Sequence, residues 1–217
     1  NSSVTITGNN PLVDFTAYNL GDTSTLNVTP FIMDAGRLRL GTTGSGYALP
    51  WMNGNYNLTA GVVEFSNINT TRQSIKGEAT HAYYKIEVTG NNVGQSNGNI
   101  NIKDSFSIKP TGILYMSNRS IVQAAAGVQT FKMFSGAKLF TANALGFHGP
   151  LSGLDAPTVK SPDIDNITLE ANTTIDYYRS VIYLGSASGN QTITTTMPYQ
   201  HLVLSGDGNK TPAASAT

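Results

Sequence analysis

The chain has 217 residues, of which 39% are hydrophobic and 12% charged, and its formal net charge is zero. Balanced charge excludes the basic surplus typical of nucleic-acid binders, and no apolar run approaches the roughly 20 residues of a membrane-spanning helix. The chain contains no cysteine, which excludes disulfides and thiolate metal sites. The sequence therefore predicts a protein with no nucleic-acid partner and no membrane insertion.

Short strand patterns follow one another along the chain. Each has two apolar residues separated by one residue, which places both apolar side chains on one face of a strand. Clusters of Gly, Asn, Pro and Asp between the patterns favour turns, and helical periodicity is nearly absent. We therefore predict an all-β fold. In chain order the pairs include Val4/Ile6, Leu26/Val28, Leu38/Leu40, Val63/Phe65, Ile86/Val88, Ile100/Ile102, Phe106/Ile108, Ile167/Leu169, Ile175/Tyr177 and Leu202/Leu204.

A cassette of strand patterns recurs in a fixed order. A Val-x-Phe strand at 63–65 and a Gln-x-Ile strand at 73–75 match residues 175–177 and 191–193. Thr89-Gly90 after the next strand matches Ser205-Gly206. We interpret residues 1–217 as one segment with cassettes at about 4–85, 86–201 and an incomplete 202–217.

The spacing of equivalent strands predicts the architecture. Val63 and Ile86 are 23 residues apart, Ile86 and Phe106 are 20 apart, and Ile175 and Leu202 are 27 apart. Short strands at such a period favour a parallel β-solenoid (β-helix), here of roughly eight or nine coils that share one core. The alternative is an antiparallel β-sandwich, whose hairpin turns would fall at Asn53-Gly54 and Asn97-Gly98.

The alternation also predicts which side chains face the core. Truncation of these residues should be costly, since deleting a buried Ile or Leu side chain costs about 2–5 kcal/mol. The predicted core residues are Val63, Phe65, Ile86, Val88, Ile100, Ile102, Ile175, Leu202 and Leu204.

The cassette resembles a known repeat. The runs at 61–65, 73–75 and 83–90, their counterparts at 174–177, 191–194 and 199–206, and Phe134–Leu139 are similar to repeats of large cell-surface β-helix proteins of Bacteroidota. Proteins of that family are exported by the type IX secretion system. The resemblance implies an extracellular or outer-surface location, contact with secretion or cell-surface machinery, and an adhesin-like role. Nothing after Ser205 resembles the terminal sorting domain of that family.

A structural role without catalysis is the main functional prediction. Acid–base cleavage of a polysaccharide needs paired carboxylates, or a carboxylate beside a Lys or Arg base. The carboxylates are spread thinly along the chain, and Glu64 and Asp176 occupy the same cassette position, which indicates repeat chemistry. A polysaccharide-binding or polysaccharide-cleaving protein, a lyase or glycosidase, remains the alternative, and no catalytic residue is predicted.

Two further groups of residues are candidates for binding. Trp51 lies between Tyr47 and Tyr56 in a Gly/Asn-rich stretch, where exposed rings could stack on sugars or pack over the edge of the core. Asp163, Asp165 and Asn166 form an oxygen-rich cluster that could contribute ligands to Ca²⁺ or cap a turn. No other cofactor is predicted.

Both ends of the sequence are expected to lack caps. Val4–Asn10 and Leu202–Gly208 enter the cassette at the same strand, so we expect the chain to be part of a longer array. Uncapped ends expose strand edges, which should pair with neighbouring coils of the parent chain or associate end to end.

Overall fold

The computed structural model describes residues 4–15, 31–41, 56–77, 82–124, 126–150, 157–161, 164, 166–180 and 189–213. In these ranges the protein is all-β, as predicted, with 21 strands and no helix. The strands are β1 Val4–Ile6, β2 Leu12–Phe15, β3 Phe31–Met33, β4 Arg37–Leu40, β5 Tyr56–Leu58, β6 Val62–Phe65, β7 Gln73–Gly77, β8 Ala82–Val88, β9 Val93–Asn97, β10 Ile100–Ile108, β11 Ile113–Met116, β12 Ile121–Gln123, β13 Thr130–Met133, β14 Lys138–Thr141, β15 His148–Pro150, β16 Val159–Ser161, β17 Asn166–Leu169, β18 Thr174–Tyr177, β19 Gln191–Ile193, β20 His201–Leu204 and β21 Lys210–Pro212.

The strands form four sheets. Sheet A has the order β1-β3-β5, and sheet D contains β19 and β21. Sheet B has the order β15-β16-β12-β10-β8-β6-β4-β2; in addition, β13 pairs with β10, and β17 pairs with β13. Sheet C has the order β20-β18-β14-β11-β9-β7.

Every strand pairing among the described residues is parallel. The antiparallel sandwich is therefore wrong for this part of the chain. Asn97-Gly98 does not form a hairpin, because β9 and β10, on either side of it, belong to sheets C and B. Asn53-Gly54 lies outside the described residues.

The predicted spacing is confirmed at the residues that define it. Val63 lies opposite Ile86, and Ile86 lies opposite Phe106, in sheet B. Ile175 lies opposite Leu202 in sheet C. The chain moves between the two sheets as it advances: β6, β8 and β10 belong to sheet B, whereas β7, β9 and β11 belong to sheet C.

Three turns of the same form carry the chain from sheet B to sheet C. Each closes with a backbone hydrogen bond to a residue three positions earlier, as from Gly112 N to Lys109 O at 2.9 Å and from Ala137 N to Phe134 O at 2.9 Å. The residue before the donor has a left-handed backbone: Thr111 (φ 63°), Gly136 (φ 80°) and Asn172 (φ 60°). Gly and Asn adopt this conformation at little cost, which explains two of the three positions.

The core is one apolar cluster to which sheets A, B and C all contribute. Seven of the nine predicted core residues are buried, whereas Leu202 and Leu204 are 40% and 49% exposed, so the prediction was wrong for these two. The reason is position in the sheet. Strand β20 pairs with β18 and has no second neighbour among the described residues, so nothing described here covers its other side.

Candidate functional site

A polar corner forms where the chain leaves β6. Buried Gln73 accepts a hydrogen bond at Oε1 from Asn67 N (3.1 Å) and donates from Nε2 to Leu40 O (2.7 Å). Thr89 donates from its hydroxyl to Glu64 Oε1 (2.9 Å). We call this group the first corner. The oxygen and the nitrogen of the Gln73 amide connect the end of β6 to the neighbouring strand β4.

The same arrangement occurs where the chain leaves β18, and we call it the second corner. Buried Gln191 accepts from Arg179 N (2.9 Å) and donates to Thr141 O (2.9 Å). Ser205 donates to Asp176 Oδ1 (2.6 Å), as Thr89 does to Glu64. The residue matches read from the sequence thus correspond to equal hydrogen-bonding roles.

The equivalent segments lie in different sheets. The strand at Val4–Ile6 belongs to sheet A, Ile86–Val88 lies in sheet B and Leu202–Leu204 lies in sheet C. The two corners differ in the same way, because Glu64 lies in sheet B and Asp176 in sheet C. The cassette boundaries at 4–85, 86–201 and 202–217 stay a prediction.

Replacing Gly90 by alanine is expected to destabilise the first corner by about 1–3 kcal/mol. A Cβ at Gly90 would lie 2.3 Å from Asn67 O, a backbone atom that cannot turn aside. Urea unfolding should show the loss. Gly136→Asn is the control, because a Cβ there meets nothing within 4 Å and Asn tolerates the positive φ. Equal losses in both variants would contradict the steric explanation.

Charged side chains of both signs form ion pairs across the strands of sheet B. Arg37 Nη1 lies 2.9 Å from Glu64 Oε2 and 2.6 Å from Glu87 Oε2, so one guanidinium bridges carboxylates on two adjacent strands. Lys109 Nζ lies 2.8 Å from Glu87 Oε1. Arg39 Nε lies 3.1 Å from Glu64 Oε2. Asp14 Oδ2 lies 3.3 Å from Arg39 Nη1. We call these ion-paired side chains the charge ladder: Asp14, Arg37, Arg39, Glu64, Glu87 and Lys109.

The charge ladder determines the ionisation of Glu87. Partial burial would raise the pKa of Glu87, but hydrogen bonds from Arg37 and Lys109 outweigh it and hold the pKa below its ordinary value. This network was not predicted from the sequence. Its signal is the Arg37-x-Arg39 alternation, which puts both side chains on one face of β4, but the partners emerge only once the register is known.

Acid should remove the contribution of Glu87 to stability. Because its pKa is lowered in the folded state, the stabilisation is present above the unfolded pKa of about 4.3 and is lost as the pH falls through the folded pKa. Glu87→Gln should therefore reduce the free energy of unfolding at neutral pH, with a difference from wild type that shrinks below about pH 4. Urea titrations across this range measure it. A difference independent of pH would refute the assignment.

An open cleft of about 490 Å³ lies beside the charge ladder at the first corner. One wall carries the Arg39–Glu64 ion pair and the rest is uncharged, so its formal charges balance. The cleft is lined by Arg39, Gly41, Glu64, Ser66, Asn67, Ile68, Asn69 and Thr89. Such a volume falls in the range of small-molecule sites.

Of the three predicted sugar-stacking residues, only Tyr56 lies in the described part of the chain, so sugar stacking at these residues stays a prediction. Tyr47 and Trp51 lie outside the described residues, and Tyr56 begins β5. A different aromatic row occurs near sheet C: Tyr115 stacks on Phe140 at 4.6 Å, and the Arg72 guanidinium lies 3.9 Å from the Tyr115 ring centroid. These ring faces already have partners, so the row supports packing rather than sugar stacking.

The predicted calcium cluster is described only at Asn166, the exposed first residue of β17, which lies opposite Thr130. Asp163 and Asp165 lie outside the described residues. Within the ranges that are described, no group of three or more His, Asp or Glu side chains converges as a metal site would require. The calcium assignment stays a prediction.

Two carboxylates do lie side by side. Glu64 and Glu87 are register partners on β6 and β8, and Arg37 binds both. A general acid needs a carboxyl group that stays protonated near neutral pH. Glu87 has the opposite property, because its pKa is lowered, so Glu87 is not suited to act as that acid.

Among the residues that the structure describes, no helix is long and apolar enough to cross a membrane. Comparisons of the chain with protein-family models, with curated proteins and with solved structures found no match.

Proposed function

We propose that this chain is a stretch of β-solenoid, of roughly eight or nine coils, with a structural, adhesin-like and non-catalytic role. The observation that carries the proposal is the register of sheet C. From β7 to β20, each strand pairs in parallel with the strand 20 to 36 residues further along the chain, as in Gln73↔Val93, Leu139↔Ile175 and Ile175↔Leu202. A chain that returns repeatedly to the same sheet in this way winds around a common core.

The contacts between neighbouring strands suit a load-bearing role. The charge ladder and the two corners join side chains and backbone of successive strands, in addition to the parallel backbone pairing. Buried amides that are hydrogen-bonded at both the oxygen and the nitrogen, such as those of Gln73 and Gln191, rigidify a fold. The main binding partners are then the neighbouring coils of the same chain.

Location at the outer cell surface is part of the proposal. It rests on the resemblance of the cassette to Bacteroidota surface proteins exported by type IX secretion. Low charge and an abundance of uncharged polar residues give this surface little electrostatic attraction for charged partners. Secretion or cell-surface machinery would be the transient partner.

Two experiments test the proposal. Small-angle scattering of the purified chain should give the pair-distance distribution of a rod, because stacked strands lie about 4.8 Å apart and extend along one axis. Antibody labelling and protease treatment of intact source cells should reach the protein without permeabilisation. A spherical particle would refute the solenoid, and protection in intact cells would refute the surface location.

The alternative, polysaccharide cleavage, has its own test. Incubation with neutral and acidic polysaccharides, followed by a reducing-end assay and by absorbance at the wavelength of unsaturated uronates, detects glycosidases and lyases. We expect no product above background. A product that is lost in Glu64→Gln, but not in the distant Asp176→Asn, would establish an enzyme at the first corner.

A further inference from the structure

The two corners have equivalent hydrogen bonds, but the side chains around those bonds differ. Phe65 and Tyr177 are equivalent strand ends, so Ser66 of the first corner corresponds to Tyr178 of the second. In the preceding strands, Arg39 corresponds to Phe140 by the same register. At the second corner the Tyr178 and Phe140 rings pack edge to face at 5.9 Å. At the first corner the small Ser66 lines an open cleft instead.

The comparison explains why the cleft exists. Tyr178 reaches back over two strands, and its hydroxyl donates to Met116 O at 3.2 Å. A serine cannot cover this distance, so the equivalent space beside Arg39 stays open. The hydrogen bonds of the first corner hold the backbone around this space in place. The cleft is therefore open because Ser66 is small, whereas the equivalent position of the second corner carries the large Tyr178.

The groups in the cleft favour an uncharged ligand rich in hydroxyls. Glu64, which is buried, would repel an anion, and Arg39 would repel a cation. The hydroxyl of Thr89 donates to Glu64, and its lone pairs can accept from a ligand. Ile68, 75% exposed at the rim, offers an apolar surface to the C–H face of a sugar ring.

We propose that the cleft at the first corner binds a short stretch of a neutral saccharide, one or two units long. The volume of about 490 Å³ suits that size. Arg39, whose side chain is partly exposed, donates to the hydroxyls of the ligand, and the Thr89 hydroxyl accepts from them. This binding goes beyond the structural role and does not depend on it.

The test is titration of the isotope-labelled chain with defined sugars, followed by amide chemical shifts in NMR spectra. The panel contains oligosaccharides of glucose, mannose, galactose and N-acetylglucosamine, with oligogalacturonate as the anionic comparison. We expect at least one neutral sugar to shift the amides of Asn67, Ile68 and Thr89, and oligogalacturonate to leave them unchanged.

Two variants connect binding to the cleft. Ser66→Tyr should abolish binding and leave the fold intact, because Tyr178 shows that the same frame accommodates a tyrosine. Thr89→Val should weaken binding about tenfold through loss of one hydrogen-bonding group. The matched control, Ser205→Val, makes a similar change at the second corner and should leave affinity unchanged.

Several outcomes would overturn the proposal: no shift with any neutral sugar, binding of oligogalacturonate alone, or wild-type affinity in Ser66→Tyr. If Ser66→Tyr does not fold, equal affinities in Thr89→Val and Ser205→Val are sufficient to reject it. A failure here leaves the rod shape in scattering untouched, so it is distinguishable from failure of the structural proposal.

Discussion

Replacement of Phe131 by alanine should lower the free energy of unfolding by about 3–5 kcal/mol. The ring is fully buried between two others, with centroids 5.8 Å from Phe106 and 5.7 Å from Phe147. Its removal leaves a cavity between neighbouring strands, which a stacked core cannot close without breaking register. Urea unfolding monitored by circular dichroism measures the loss.

The control for Phe131 is Leu202→Ala. Leu202 is 40% exposed on β20, so its truncation should cost less than about 1 kcal/mol. Comparable losses in the two variants would mean that β20 is covered in solution by another strand, for example through association of molecules at this edge.

Replacement of Gln73 or Gln191 by methionine should destabilise the protein by about 2–4 kcal/mol in each case. Methionine keeps the length of the side chain but removes both the donor and the acceptor. At Gln73 the change leaves Asn67 N and Leu40 O without this partner, and at Gln191 it does the same to Arg179 N and Thr141 O.

Similar losses at the two glutamines would establish that the corners are energetically equivalent. Gln123→Met is the control, because Gln123 makes an exposed contact to Gly127 O at 3.2 Å and should lose less than about 0.5 kcal/mol. A loss at Gln73 no larger than at Gln123 would contradict the role of the buried amide.

Spacing and pattern were enough to predict the parallel strand stacking. Register partners such as Val63 and Ile86 are readable from sequence because each must supply an apolar side chain to the same part of the core. The matching of Gln73 with Gln191 is readable for a related reason. A buried amide with two backbone partners tolerates few replacements, so the residue recurs wherever the corner recurs.

Other features depend on which strands are neighbours, and sequence pattern does not contain that information. Leu202 has the same alternation as Ile175 but lies on the outer strand of sheet C, so it is exposed. The charge ladder requires the guanidinium of Arg37, on β4, to reach Glu64 on β6 and Glu87 on β8, although these carboxylates are 27 and 50 residues away in the chain. The cleft could not be predicted from the sequence either, because it results from Ser66 being too small to fill the space that Tyr178 fills at the second corner.

The placement of the two corners in different sheets affects how the chain would meet a polymer. Glu64 of the first corner lies in sheet B and Asp176 of the second corner lies in sheet C, although both sheets contribute to one core. The cleft and the Tyr178–Phe140 ring pair are therefore built on different sheets, so a polymer strand lying along sheet B would meet the cleft without meeting the ring pair.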